Sequence, residues 1–156
     1  MQSSHINPFL ESATLVIEQT CMVKPARGDI KLKHVSLENG HIWLHISMYG
    51  QMEGDVVFGF PEEVAIKIVS AMMGGYPITE FDEMSQSAIS ELGNMISGNA
   101  STIMYNQGIH IDISPPKMLN PSIAQEKDAL HKKQAIAIPL SIESIGNFEI
   151  YVTTLG

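Results

Sequence analysis

His41-Ile-Trp-Leu-His-Ile-Ser-Met-Tyr49, set between Asn39-Gly40 and Gly50, alternates its side chains with a period of two. That is the period of a pleated strand. One face carries Ile42, Leu44, Ile46 and Met48, the other His41, Trp43, His45, Ser47 and Tyr49, so both faces are expected to be covered. Upstream, Ile30 to Leu37 alternates in the same way, and Asn39-Gly40 is the dipeptide a two-residue type I′ turn prefers, which predicts a hairpin between the two runs. Downstream, Gly50 and Gly54 bracket another turn, and Asp55 to Phe60 reads as a third strand.

Helical spacing flanks this block. Asn7-Pro8, then Phe9, Leu10, Ala13, Val16 and Ile17, predicts a first helix with proline in its opening turn, ending before Pro25. Pro61-Glu62-Glu63 opens a second with acids at its positive end, and Val64, Ala65, Ile68, Val69 and Met72 carry its apolar stripe to Gly74-Gly75. The third and longest runs from about Asp82 to Tyr105 and stops at Gly108. Ile109, Ile111 and Ile113 then alternate as far as Pro115-Pro116, and Lys117 to Lys133 reads as a polar surface excursion. Ala135 to Ile142 and Phe148 to Thr153, joined by Ile145-Gly146-Asn147, are the last strands. The order is α-β-β-β-α-α-β-β-β, with hairpins and runs of helices instead of βα alternation. It predicts an α+β fold, a mainly antiparallel sheet packed with three helices, in a single domain over residues 1–156.

Composition narrows the function. The 156 residues are 44% hydrophobic and 17% charged, with mean hydropathy +0.08, as in a globular chain. A formal charge of −8 with only nine scattered Lys and Arg argues against nucleic acid and anionic membranes as partners. No run approaches the roughly 18 apolar residues of a membrane span, and Met1 to His5 has no basic leader, so a cytoplasmic protein is expected. The lone Cys21 excludes an intramolecular disulfide and reads as a small buried hydrophobe. His41 and His45 sit about 13 Å apart on a strand, too far to share an ion, and His110 with Asp112 lacks a third ligand, so no metal of its own is expected. There is no Gly-rich phosphate loop, no Gly-x-Ser-x-Gly elbow and no Cys/His nucleophile pattern.

The third helix is the unusual element. On a helical wheel Met84, Ala88, Ile89, Leu92, Met95, Ile96 and Ile103 form one stripe, while Ser87, Ser90, Glu91, Asn94, Ser97, Gly98 and Ser101 lie off it. A solvated face normally carries Lys, Glu, Gln and Arg, yet here Glu91 is the one formal charge between Met84 and Tyr105. Small side chains leave a strip over which a partner can approach, and Glu91 and Asn94 rise from it one turn apart. Gly93, which costs a helix on the order of 1 kcal/mol, also points to close approach. The same small residues would equally pack this helix against a neighbouring element of its own protein.

Met84-Ser-Gln-Ser-Ala-Ile-Ser-Glu91-Leu-Gly-Asn94-Met-Ile-Ser-Gly98-Asn-Ala100 resembles the Glu-x-x-Asn signature helix of the chemotaxis phosphatase family that contains CheX, CheC and FliY. The similarity extends to the hairpin Met48 to Phe60, the helix ending Met72-Met73-Gly74, Pro115-Pro116, and the terminal strands with Ile138-Pro139 and Gly146-Asn147-Phe148. What it implies is hydrolysis of the aspartyl phosphate on a CheY-type receiver domain. In that reading Asn94 positions the attacking water, Glu91 docks to the receiver, and Ser87, Ser90, Ser97, Gly98 and Ser101 form the partner-binding rim. Mg²⁺ would belong to the receiver, with no cofactor of this chain's own. CheC resembles a duplication with two such motifs, but Glu11-Ser-Ala-Thr14 puts Thr where a carboxamide is required, so a single, CheX-like site is expected. The two-sided strand from His41 to Tyr49, ten Met and the family pattern together suggest a homodimer through sheet edges. The alternative is a non-catalytic module of the same fold that holds a receiver or a flagellar component.

Overall fold

The computed structural model describes residues 3–123, 130 and 133–154. Among the described residues three helices, α1 (Ser3–Cys21), α2 (Glu62–Met72) and α3 (Glu83–Asn106), accompany eight strands: β1 (Ala26–Arg27), β2 (Lys31–His34), β3 (His41–Gly50), β4 (Gly54–Pro61), β5 (Ile111–Ile113), β6 (Lys117–Leu119), β7 (Gln134–Ile142) and β8 (Gly146–Thr154). They form one sheet in the order β1-β7-β8-β4-β3-β5, with β2 also beside β7 and β6 also beside β3, and every pairing is antiparallel. The expected α+β architecture is therefore present, with β1 and β6 added to the expected order.

Register explains the layering. Leu44, Phe58, Ile150 and Ile138 stand in one row across four strands, and they join the core with all three helices. Phe60 stacks on Phe148 with centroids 4.8 Å apart in the same layer. The opposite row, Trp43, Gly59, Glu149 and Pro139, faces outward. Pro139 has no N–H to offer an edge partner, and the edge strand is split there into β1 and β2, with Gly28 N–H donating to the Pro139 carbonyl at 2.9 Å.

Three expectations need correction. The hairpin through Asn39-Gly40 does not form: β2 pairs with β7, three strands away from β3. The turn is real, with Gly40 at φ +85°, but Val35 and Leu37 are buried in an outer-face cluster with Trp43, Val57 and Tyr151, which draws the chain across the sheet. Pro8 lies inside α1 instead of in its first turn, since the helix begins at Ser3 and gives up a single backbone bond there. The segment after Pro116 is not all excursion: Lys117–Leu119 pairs with His45–Trp43 as β6. Residues 124–129 and 131–132 of that stretch lie outside the described residues.

Candidate active site on the third helix

Helix α3 is fixed at its start by Asp82, whose carboxylate accepts from the Ser85 N–H and from the Ser85 hydroxyl, each at 2.9 Å. Ile89, Leu92, Ile96, Ala100 and Met104 bury one side completely. Gly93 belongs to that buried side. A Cβ there would collide with Leu44 Cδ2 and lie 3.5 Å from Phe58, so its close approach is to the protein's own sheet and not to a partner.

The opposite side is exposed through Met84, Ser87, Glu91 and Asn94, with Ser90 half-buried beside them. Met84, placed by the wheel on the apolar stripe, is 46% exposed and heads this surface instead. Glu83, Gln86, Ser87, Ser90, Glu91 and Asn94 line one open groove of about 600 Å³ whose far wall is Pro116 and Met118. Asn94 and Glu91 thus stand one turn apart over a floor of serines, and neither side chain hydrogen-bonds to any described residue. Reading the segment after Pro116 as a loop hid the Pro116 and Met118 wall. The apolar pair Met118-Leu119 was its only signal.

The rim is shorter than expected. Ser97 is fully buried, and its hydroxyl has no hydrogen-bond partner among the described residues, so it is not surface at all. Ser101 is half-buried and donates to the Ile111 carbonyl at 3.2 Å, which ties α3 to β5. Gly98 is half-buried with open space around it. On α1, Glu11 is exposed but Thr14 donates back to the Leu10 carbonyl at 2.9 Å. A hydroxyl so engaged presents nothing like a free carboxamide.

The other candidates are occupied otherwise. Cys21 is buried, which pushes its thiol up. His41 stacks on Trp43 and His110 on Tyr105. Among the described residues no group of three His, Cys, Asp or Glu side chains is placed to hold a metal ion. No helix there is long and apolar enough to cross a membrane.

His45 Nε2 meets Asp55 Oδ1 at 2.7 Å, while Lys133 Nζ and the Thr153 hydroxyl donate to Oδ2 at 2.9 and 3.2 Å. The His45 bond first, with Lys133 behind it, lowers the Asp55 carboxyl to about 2. A depressed carboxyl stabilises the fold above its unfolded value and loses that contribution as pH falls through the folded one. Allowing for screening at this partly exposed site, Asp55→Asn is expected to cost about 1–2 kcal/mol at neutral pH, the gap closing between roughly pH 4 and pH 2. Urea titrations at several pH values measure it. A gap as wide at pH 2 as at neutral pH rejects the assignment.

With this geometry in place, the family model for Chemotaxis phosphatase CheX matches residues 43–141, which take in α3 and the Pro116 and Met118 wall of the groove. The chain belongs to the CheX family of chemotaxis phosphatases. A CheX relative, the CheY-P phosphatase CheX of Thermotoga maritima, is 29% identical over 98% of this chain and 97% of its own. A CheC-like superfamily protein from Shewanella sp. PV-4 matches with TM-score 0.84 and 26% identity over the whole of both chains. The CheX of a CheX–CheY–BeF3–Mg²⁺ complex from Borrelia burgdorferi matches with TM-score 0.76 and 22% identity, over 96% of this chain and 97% of that one.

Proposed function

We propose that this CheX-family chain, acting in the cytoplasm as one domain, dephosphorylates the aspartyl phosphate of a CheY-type receiver. The observation that carries the reading is the pair Glu91 and Asn94, exposed one turn apart on a helix whose other side is locked into the core. An acyl phosphate is already activated, so the remaining task is to hold a water in line with phosphorus. The Asn94 carboxamide can both donate to and accept from that water without placing negative charge beside a phosphoryl group. Glu91, about 4.5 Å back along the axis, pairs with a receiver cation, most simply its active-site lysine, and sets the docking register. Ser87 and Ser90 let the receiver's backbone approach closely. Mg²⁺ comes with the receiver, in keeping with a Borrelia relative solved together with CheY and Mg²⁺. The test is phosphate loss from phosphorylated receivers mixed with the full chain, and a chain that only binds them overturns the reading.

A homodimer through a sheet edge is part of the proposal. Leu32 on the β2 edge is 62% exposed and Ile30 just before it is 40% exposed. Sedimentation at tens of micromolar is expected to show a dimer, and a monomer rejects it.

A further inference from the structure

We propose that the receiver is gripped along the whole length of α3, with an apolar contact at each end, and that Met84 and Tyr105 are the two anchors that select it. This rests on the reading of Glu91 and Asn94 as the dephosphorylating face. Met84 and Tyr105 are the large apolar side chains that α3 leaves exposed, at 46% and 60%. At about 100° per residue they fall, with Glu91 and Asn94, inside a sector of roughly 80°, so all four stand on one face. At about 1.5 Å per residue, Met84 lies about 15 Å to one side of Asn94 and Tyr105 about 16 Å to the other. A standard interface covers about 800 Å² of each partner, a patch roughly 30 Å across. The strip therefore has the length of one whole interface, and Asn94 sits near its middle. Met and Tyr are also residue types that interfaces gather.

Between its ends the face is low. Gly98 offers open space where a Cβ would stand, and the Thr102 hydroxyl turns back to the Gly98 carbonyl at 3.2 Å, so nothing between Asn94 and Tyr105 keeps a partner off. Tyr105 is ordered in advance. Its ring stacks on His110, with centroids 4.3 Å apart. His110 is in turn held by Gln51, whose side-chain oxygen accepts from the His110 N–H at 2.7 Å and whose own N–H donates to the His110 carbonyl at 3.0 Å. An exposed ring already fixed in place loses little freedom on docking, which suits it to anchor a partner. Charge chooses the receiver over a second copy of this chain. α3 carries Glu83 and Glu91 but no Lys or Arg, so two such faces would meet like charge with like, whereas a receiver brings the cation for Glu91. Receivers without an apolar side chain about 15 Å to either side of the phosphoryl group dock poorly.

The experiment is steady-state dephosphorylation of a phosphorylated receiver by the full chain and three variants at these exposed positions. Tyr105→Ala is expected to raise KM for the receiver about tenfold and Met84→Ala about three- to tenfold, with kcat held within about twofold and circular dichroism unchanged. Tyr105→Phe keeps the ring and should stay within about twofold of the wild-type chain in both constants. With wild-type turnover in hand, an unmoved KM in folded Tyr105→Ala or Met84→Ala overturns this extension alone. So does a loss confined to kcat, or a Tyr105→Phe chain as impaired as Tyr105→Ala. A shift in sedimentation in place of KM overturns it too, by making the strip a contact between copies. No turnover of any phosphorylated receiver by the wild-type chain overturns the underlying reading instead.

Discussion

Asn94→Ala is expected to lower the turnover of a phosphorylated receiver by about 100- to 1000-fold, the loss seen when one preorganised polar contact to a transition state is removed. Asn94 is exposed and bonded to no described residue, so stability should change by no more than about 0.5 kcal/mol. Most of the docking should survive, because the methyl of alanine removes the water's partner and leaves the groove's walls in place. Glu91→Ala should behave differently, raising KM along with its effect on turnover, since it deletes the ion pair proposed across the interface. Single-turnover loss of phosphate, read beside binding of the phosphorylated receiver, separates the two. Near-normal turnover in Asn94→Ala would end the water-positioning role. Activity lost with Glu11→Ala instead would move the site to α1.

The second large effect is structural and concerns two glycines five residues apart on α3. Gly93→Val drives a branched side chain into Leu44 and Phe58, both fully buried, and is expected to destabilise the protein by about 1–3 kcal/mol, a fall of several degrees in Tm. Gly98→Ala meets nothing within 4 Å and should gain about 0.5–1 kcal/mol from helix propensity. Opposite signs in thermal unfolding confirm the placement of α3 on the sheet. Equal signs would mean that Gly93 is not what sets the distance between helix and sheet.

These two glycines also show why the sequence was legible only in part. On a wheel of about 100° per residue Gly93 falls roughly opposite Glu91, on the core side, whereas Ser97 falls near Asn94, and a small residue there suits a partner's approach and an intramolecular contact equally well. The full burial of Ser97, on the side where Gly93 rests on Leu44, is what the sequence could not supply. The long strands β3, β4, β7 and β8 could be read because their period repeats for eight residues or more. β6 has three residues, too few for any period, and the missing wall of the groove followed from that. Asn39-Gly40 carried a true turn signal but no information on which strands it joins. That was settled by the burial of Val35 and Leu37 on the outer face.

Glu91 and Asn94 wait without bonds to any described residue, and this bears on how long a complex lasts. In the proposed complex the receiver would settle their rotamers, each settling costing about 0.5–1.5 kcal/mol of ordering. A pair held rigid beforehand would bind more tightly and let go more slowly. On the proposed reading, a pair left free sheds the spent receiver quickly, so a small pool of this protein would visit many phosphorylated receivers and end their signal without sequestering them.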